Sequence, residues 1–122
     1  MLRPGTSAVV KAHGLPSEIE RFVAETIDSV HTLEILLFLR ACRDRAWTAD
    51  QVHHEVKSST AAAVNALEHL TRCGILHVVA GHPPSYRFHP ESARLERSVT
   101  LLAETYAERR TALISALYAR RG

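Results

Sequence analysis

Eight histidines and two cysteines are the side chains of this sequence best suited to metal or acid–base chemistry. The best spaced group is His69, Cys73 and His77, the first two one helical turn apart and the third just beyond a glycine. Imidazole and thiolate are zinc donors, but a structural site needs four of them, and no Cys-x-x-Cys or His-Glu-x-x-His spacing supplies the rest. His53 and His54 are neighbours, and adjacent helical positions project about 100° apart, away from a shared ion. The sequence therefore predicts no metal centre and no cofactor. It predicts no enzyme either. A nucleophile needs a base and a charge stabiliser beside it, and a phosphate loop needs clustered glycines. Here Gly5, Gly14, Gly74, Gly81 and Gly122 are scattered, each at a turn or terminus. The remaining chemistry is that of binding, carried by short hydroxyls, an amide and a few cations between Lys57 and Arg87.

The stretch that must position them runs from Trp47 to Gly74. Thr48 followed by Gln51 is a capping box, in which each side chain satisfies a backbone amide of the other, with Trp47 and Val52 as the apolar staple around it. Val52 and Val56 point inward from this first short helix. Lys57-Ser58-Ser59 breaks it, and Ser59 can cap a second helix running to Cys73. On that helix Ala63, Leu67 and Leu70 fall on one face at about 100° per residue. The outward face is then Ala61, Ala62, Asn65, Glu68, His69 and Arg72. Gly74 suits the left-handed residue that ends a helix, with Ile75 and Leu76 packing back over it. Two short helices joined this closely read as a helix-turn-helix.

The flanks follow in chain order. Residues 1–15 lack a sustained period and read as a flexible arm. Residues 16–89 hold an N-terminal helix plus the helix-turn-helix domain, and residues 90–122 a C-terminal helix. Ser17 and Glu20 form a second capping box, ahead of a stripe of Ile19, Phe22, Val23 and Ile27. Val30 to Arg43 is apolar nearly all round and belongs at the centre of a core. Arg40, Arg43 and Arg45 near its C-terminal end suit the negative end of the helix dipole. Ile75 to Ala80 and Tyr86 to His89 flank the turn-forming Gly81-His82-Pro83-Pro84-Ser85 and read as a β-hairpin. Pro90 then opens a helix striped by Leu95, Val99, Leu102, Tyr106, Leu113 and Leu117, with Arg109 intruding. At 1.5 Å per residue some thirty residues span about 45 Å, longer than such a domain is wide, so part of the stripe is expected to meet a second chain.

Length and composition agree with one domain: 122 residues, 46% apolar, 23% charged, and a formal charge of +2. That balance permits nucleic-acid binding without demanding it, because a basic footprint acts locally. Cys42 and Cys73 read as reduced thiols. The N-terminal residues lack the apolar core of a signal peptide, and no apolar run approaches a membrane span. A cytoplasmic location without membrane contact is expected.

The run Thr48-Ala-Asp-Gln-Val, the serine before the second helix, Ala66-Leu-Glu-His-Leu70 and the closing Gly74-Ile-Leu resemble the winged helix-turn-helix of bacterial transcriptional regulators, the broad group that contains the MarR, PadR and ArsR families. The likeness covers roughly residues 30–90. It implies a mainly α fold with a small β-hairpin wing, an N-terminal helix and a long C-terminal dimerisation helix. It also implies transcription regulation by a homodimer on double-stranded DNA. Under the resemblance Thr60, Ala61, Ala62 and Asn65 meet base edges, and Asn65 can pair bidentately with adenine while alanine touches a thymine methyl. Lys57, Ser58, Ser59, Thr60, His69, Arg72, Arg87 and, at the wing tip, His82 complete the DNA-facing set. Phe22, Leu95, Val99, Leu102, Tyr106, Leu113 and Leu117 form the expected dimer seam. Winged helices also dock on proteins, so the second reading is an interaction module for another regulatory protein, served by the small side chains of the same helix face or by the C-terminal helix.

Overall fold

The computed structural model describes residues 15–121, with side chains as far as Tyr118. Of the expected arm only Leu15 is therefore described, and it is buried; residues 1–14 lie outside the described residues. The described chain is mainly helical, with a small antiparallel sheet of three strands. It divides into two compact units: Ser29–Glu96, and the described residues up to Asp28 together with those from Arg97 onward.

In the Ser29–Glu96 unit, α2 (Val30–Ala41) is the central element. Leu33, Ile35, Leu36 and Leu39 are fully buried. A fully buried Leu or Ile side chain contributes about 1.5–3 kcal/mol relative to an exposed one, so this helix anchors the unit. Its start is set by Ser29, whose hydroxyl oxygen accepts from the Thr32 amide at 3.2 Å, a cap for which the sequence carries no Glu or Gln partner. The short helix α3 (Ala49–Glu55) begins with the expected capping box. The Thr48 amide donates to Gln51 Oε1 at 3.0 Å, and the Gln51 amide donates to Thr48 Oγ1 at 3.2 Å. After the break, α4 (Thr60–Arg72) is capped by Ser59, which accepts from the Ala62 amide at 3.0 Å.

The end of α4 is a Schellman turn. Gly74 sits at φ +82°, its amide donates to Thr71 O at 3.0 Å, and the Ile75 amide donates to Leu70 O at 3.1 Å. Ile75 and Leu70 are both fully buried, which supplies the apolar contact that accompanies such turns. A side chain at position 74 would be strained by that φ and would also collide with the carboxylate of Glu91.

The expected hairpin forms from β2 (Leu76–Val79), one residue shorter at each end than the run Ile75 to Ala80, and β3 (Ser85–Phe88), which starts and ends one residue before the run Tyr86 to His89. Leu76 opposes Phe88 and His77 opposes Arg87, so one face buries Leu76, Tyr86 and Phe88 while His77 and Arg87 point to solvent. A third strand, β1 (Trp47–Thr48), pairs on the other side of β3, giving the order β1-β3-β2. Two residues cannot display the alternation by which a strand is read, which is why sequence patterning missed it.

The other unit buries Ile19, Phe22 and Val23 from α1 (Ser17–Thr26), Ile27 just after it, and Val99, Leu102, Leu113 and Leu117 from α5 (Ala93–Arg121). The capping box expected at Ser17 does not form. Pro16 occupies the cap position and makes no side-chain cap bond, while its carbonyl accepts from the Ile19 and Glu20 amides. Ser17 is already the first helical residue, one position too late for its hydroxyl to serve. The final helix starts at Ala93 rather than Pro90, because Ser92 caps it by accepting from the Leu95 amide at 3.1 Å. It is also not one straight rod: Arg109, at φ −137° and ψ 47°, leaves helical geometry and divides it. The apolar stripe is interrupted at that same residue. With the break in place, Val99, Leu102, Leu113, Leu117 and Phe22 are buried within the single chain, whereas Leu95 and Tyr106 stay half-buried.

Candidate nucleic-acid interface

α4 is held by its apolar face. Ala63, Ala66, Leu67 and Leu70 are buried, and the helix packs against α2, α3 and β2. The opposite face is left in solvent: Thr60, Ala61, Asn65, Glu68 and Arg72 are exposed and Ala62 is half-exposed. Four expected base-facing residues, Thr60, Ala61, Ala62 and Asn65, thus share the N-terminal half of one helix. Lys57 and Ser59 are exposed and Ser58 half-exposed in the break immediately before it. Ser59 is committed to capping, and the Ser58 hydroxyl donates to the Ser59 carbonyl at 3.4 Å.

His69 departs from the expected pattern. It is half-buried, and its Nε2 lies 3.8 Å from Cys73 Sγ, so it faces the end of its own helix. His77 does not join that pair but meets His89 edge to face, with ring centroids 6.3 Å apart. The expected best-spaced group of His69, Cys73 and His77 is therefore split between two contacts. Among the described residues the group with ligand atoms close enough for one ion is Asp50, His53 and His54. Those two histidines leave the backbone in diverging directions, yet their side chains swing together and stack at 4.6 Å with a 27° tilt. Sequence spacing gives the Cα directions and says nothing of the side-chain torsions that undo them.

On the hairpin, Arg87 is exposed on β3 and His82 is exposed in the loop. Tyr86 between them is buried; that burial pushes its phenol above the usual tyrosine range, and the Glu68 carboxylate adds to the effect.

The basic cluster at the end of α2 is largely spoken for. Arg43 donates two hydrogen bonds to the Glu96 carboxylate, at 2.8 and 3.4 Å, and its guanidinium lies over the Phe88 ring. The bond to Glu96 holds the Arg43 guanidinium more firmly protonated and the Glu96 carboxyl below the usual range. Arg45 lies 3.8 Å from the centroid of Trp47, whose indole also packs on Phe38 and donates to the Cys42 carbonyl. Arg43 and Glu96 are 53 residues apart in sequence, so nothing local could have paired them. Among the described residues no helix is long and apolar enough to cross a membrane. No family model matches the sequence, and no curated protein is significantly similar to it.

Proposed function

We propose that this chain is a winged helix-turn-helix regulator of transcription that binds double-stranded DNA as a homodimer, with α4 as the recognition helix and the β2–β3 hairpin as the wing. The observation that carries the reading is the exposed face of α4, where Thr60, Ala61 and Asn65 stand in solvent on a helix whose other side is locked into the core. A capped turn before it and a Schellman turn after it hold that helix in a defined pose next to β2, as groove reading requires. Asn65 is the principal base reader, Ala61 and Ala62 meet thymine methyls, and Lys57, Thr60, Arg72 and Arg87 hold phosphates. Since the single chain buries Val99, Leu102, Leu113 and Leu117, the dimer seam narrows to half-buried Leu95 and Tyr106 and to exposed Tyr118.

Titration of labelled duplex fragments at two salt concentrations tests it. Binding is expected at low salt and to fall steeply as salt rises, because released counterions supply much of the affinity. Asn65→Ala should remove about 1–3 kcal/mol of discrimination at one base pair, while Arg87→Ala weakens all sequences alike and lowers the salt slope by about one phosphate. A folded protein that binds no duplex at low salt overturns the reading and leaves α4 as a docking face for a regulatory protein.

A further inference from the structure

We propose that Asp50, His53 and His54 form a binding site for a divalent transition-metal ion of the zinc, nickel or copper class. All three stand on the short helix α3, between its second and sixth residues, and their ligand atoms lie within 4.8 Å of one another. His53 Nε2 is 3.6 Å from one Asp50 carboxylate oxygen and His54 Nε2 is 3.7 Å from the other, so both imidazoles present the same nitrogen to the same carboxylate.

A second feature prepares His53 as a ligand. Its Nδ1 lies 3.0 Å from the Ser58 carbonyl oxygen. A carbonyl can only accept, so Nδ1 carries the proton and, in the neutral ring, Nε2 keeps the lone pair. Metal-bound histidines are held in this way, with the far nitrogen donating to a carbonyl or carboxylate that fixes ring orientation and tautomer. Two imidazoles and one carboxylate suit zinc, nickel or copper rather than magnesium or calcium, which prefer all-oxygen sets. Bonds of about 2.0–2.2 Å bring ligand atoms to within about 3.5 Å of one another, so the set must tighten by about an ångström. Asp50 and His54 have side chains 70% and 68% exposed, which leaves them free to rotate inward, and water fills the remaining coordination positions. Through His53 and Ser58 the ion would tie α3 to the break ahead of the Ser59 cap. The site stands on its own geometry and does not depend on DNA binding.

Calorimetric titration of the full chain with zinc chloride and with nickel chloride, in chelator-free buffer, tests the proposal together with nitrogen NMR of the histidine side chains. The expected result is one ion per chain, with the Nε2 resonances of His53 and His54 shifted and the Nδ1 proton of His53 retained. His54→Gln and Asp50→Asn, both at exposed side chains, should each weaken binding at least about tenfold; circular dichroism checks that they fold. Absence of stoichiometric binding by the wild-type chain overturns the site. So does an affinity unchanged in the Asp50→Asn/His54→Gln double variant, which would assign the ion to other histidines.

Discussion

The Ser29–Glu96 unit and the unit built from α1 and residues 97–121 bury apolar side chains equally well but fix their helix ends differently. In the first, four helix starts are held by side-chain oxygens of Ser29, Thr48, Ser59 and Ser92, and the end of α4 by Gly74. In the second, α1 begins at a proline that makes no side-chain cap bond, and α5 is divided at Arg109 without proline or glycine nearby. Thr105, buried just before that break, satisfies its hydroxyl by donating to the Leu101 carbonyl of its own helix. Side-chain caps fix the helix starts of the first unit, whereas α1 of the second starts on the Pro16 carbonyl without one. A surface meant to present Thr60 and Asn65 at a set angle needs the first kind of construction, because each bonded end removes freedom from the helix between.

The largest test of that difference is in the cores. Leu67→Ala in α4 and Leu102→Ala in α5 both empty fully buried sites, and each should cost about 2–5 kcal/mol in denaturant unfolding. The concentration dependence separates the two units. If α5 also carries the dimer seam, the wild-type unfolding midpoint rises with protein concentration, since an assembly is stabilised by mass action. A midpoint that stays put over about a hundredfold range in concentration removes the homodimer from the proposed function.

The helix starts give the middle-sized effect. Ser59→Ala and Thr48→Ala each remove an observed cap bond and should lower stability by about 1 kcal/mol. Ser17→Ala removes none, and thermal unfolding should find it within about 0.5 kcal/mol of wild type. A Ser17→Ala loss matching that of Ser59→Ala would show that α1 is capped after all and erase the contrast.

The smallest effect is electrostatic. Glu96 has its carboxyl lowered, first by its hydrogen bond from Arg43. A carboxyl depressed in the folded state stabilises above its unfolded-state pKa, and that contribution is lost as pH falls through the folded one. Stability measured from neutral pH down through the acid range should therefore fall slightly less for Glu96→Gln than for wild type. Salt should shrink the difference, because the pair is exposed and screened.

Most helix ends written within a few residues of themselves were determined by the sequence alone, the exception being the Ser17–Glu20 box, where the adjacent Pro16 takes the cap position. Thr48 with Gln51, Ser59 before Ala62, and Gly74 with Ile75 each specify a helix end through bonds spanning three to five residues, and all three form. The stripe of Ala63, Leu67 and Leu70 likewise decides which side of α4 is buried, and so which side shows Thr60 and Asn65. Tertiary structure decided the rest. It recruited Trp47 and Thr48 into a strand because β3 had an open edge, and paired Arg43 with Glu96 across 53 residues. It also took Arg109 out of helical geometry and buried Val99, Leu102, Leu113 and Leu117 within the single chain. His53 and His54 converge on Asp50 because the chain turns after α3 and offers the Ser58 carbonyl to one ring. Torsions and long-range neighbours set such outcomes, and neither is encoded in the spacing of residues along a helix.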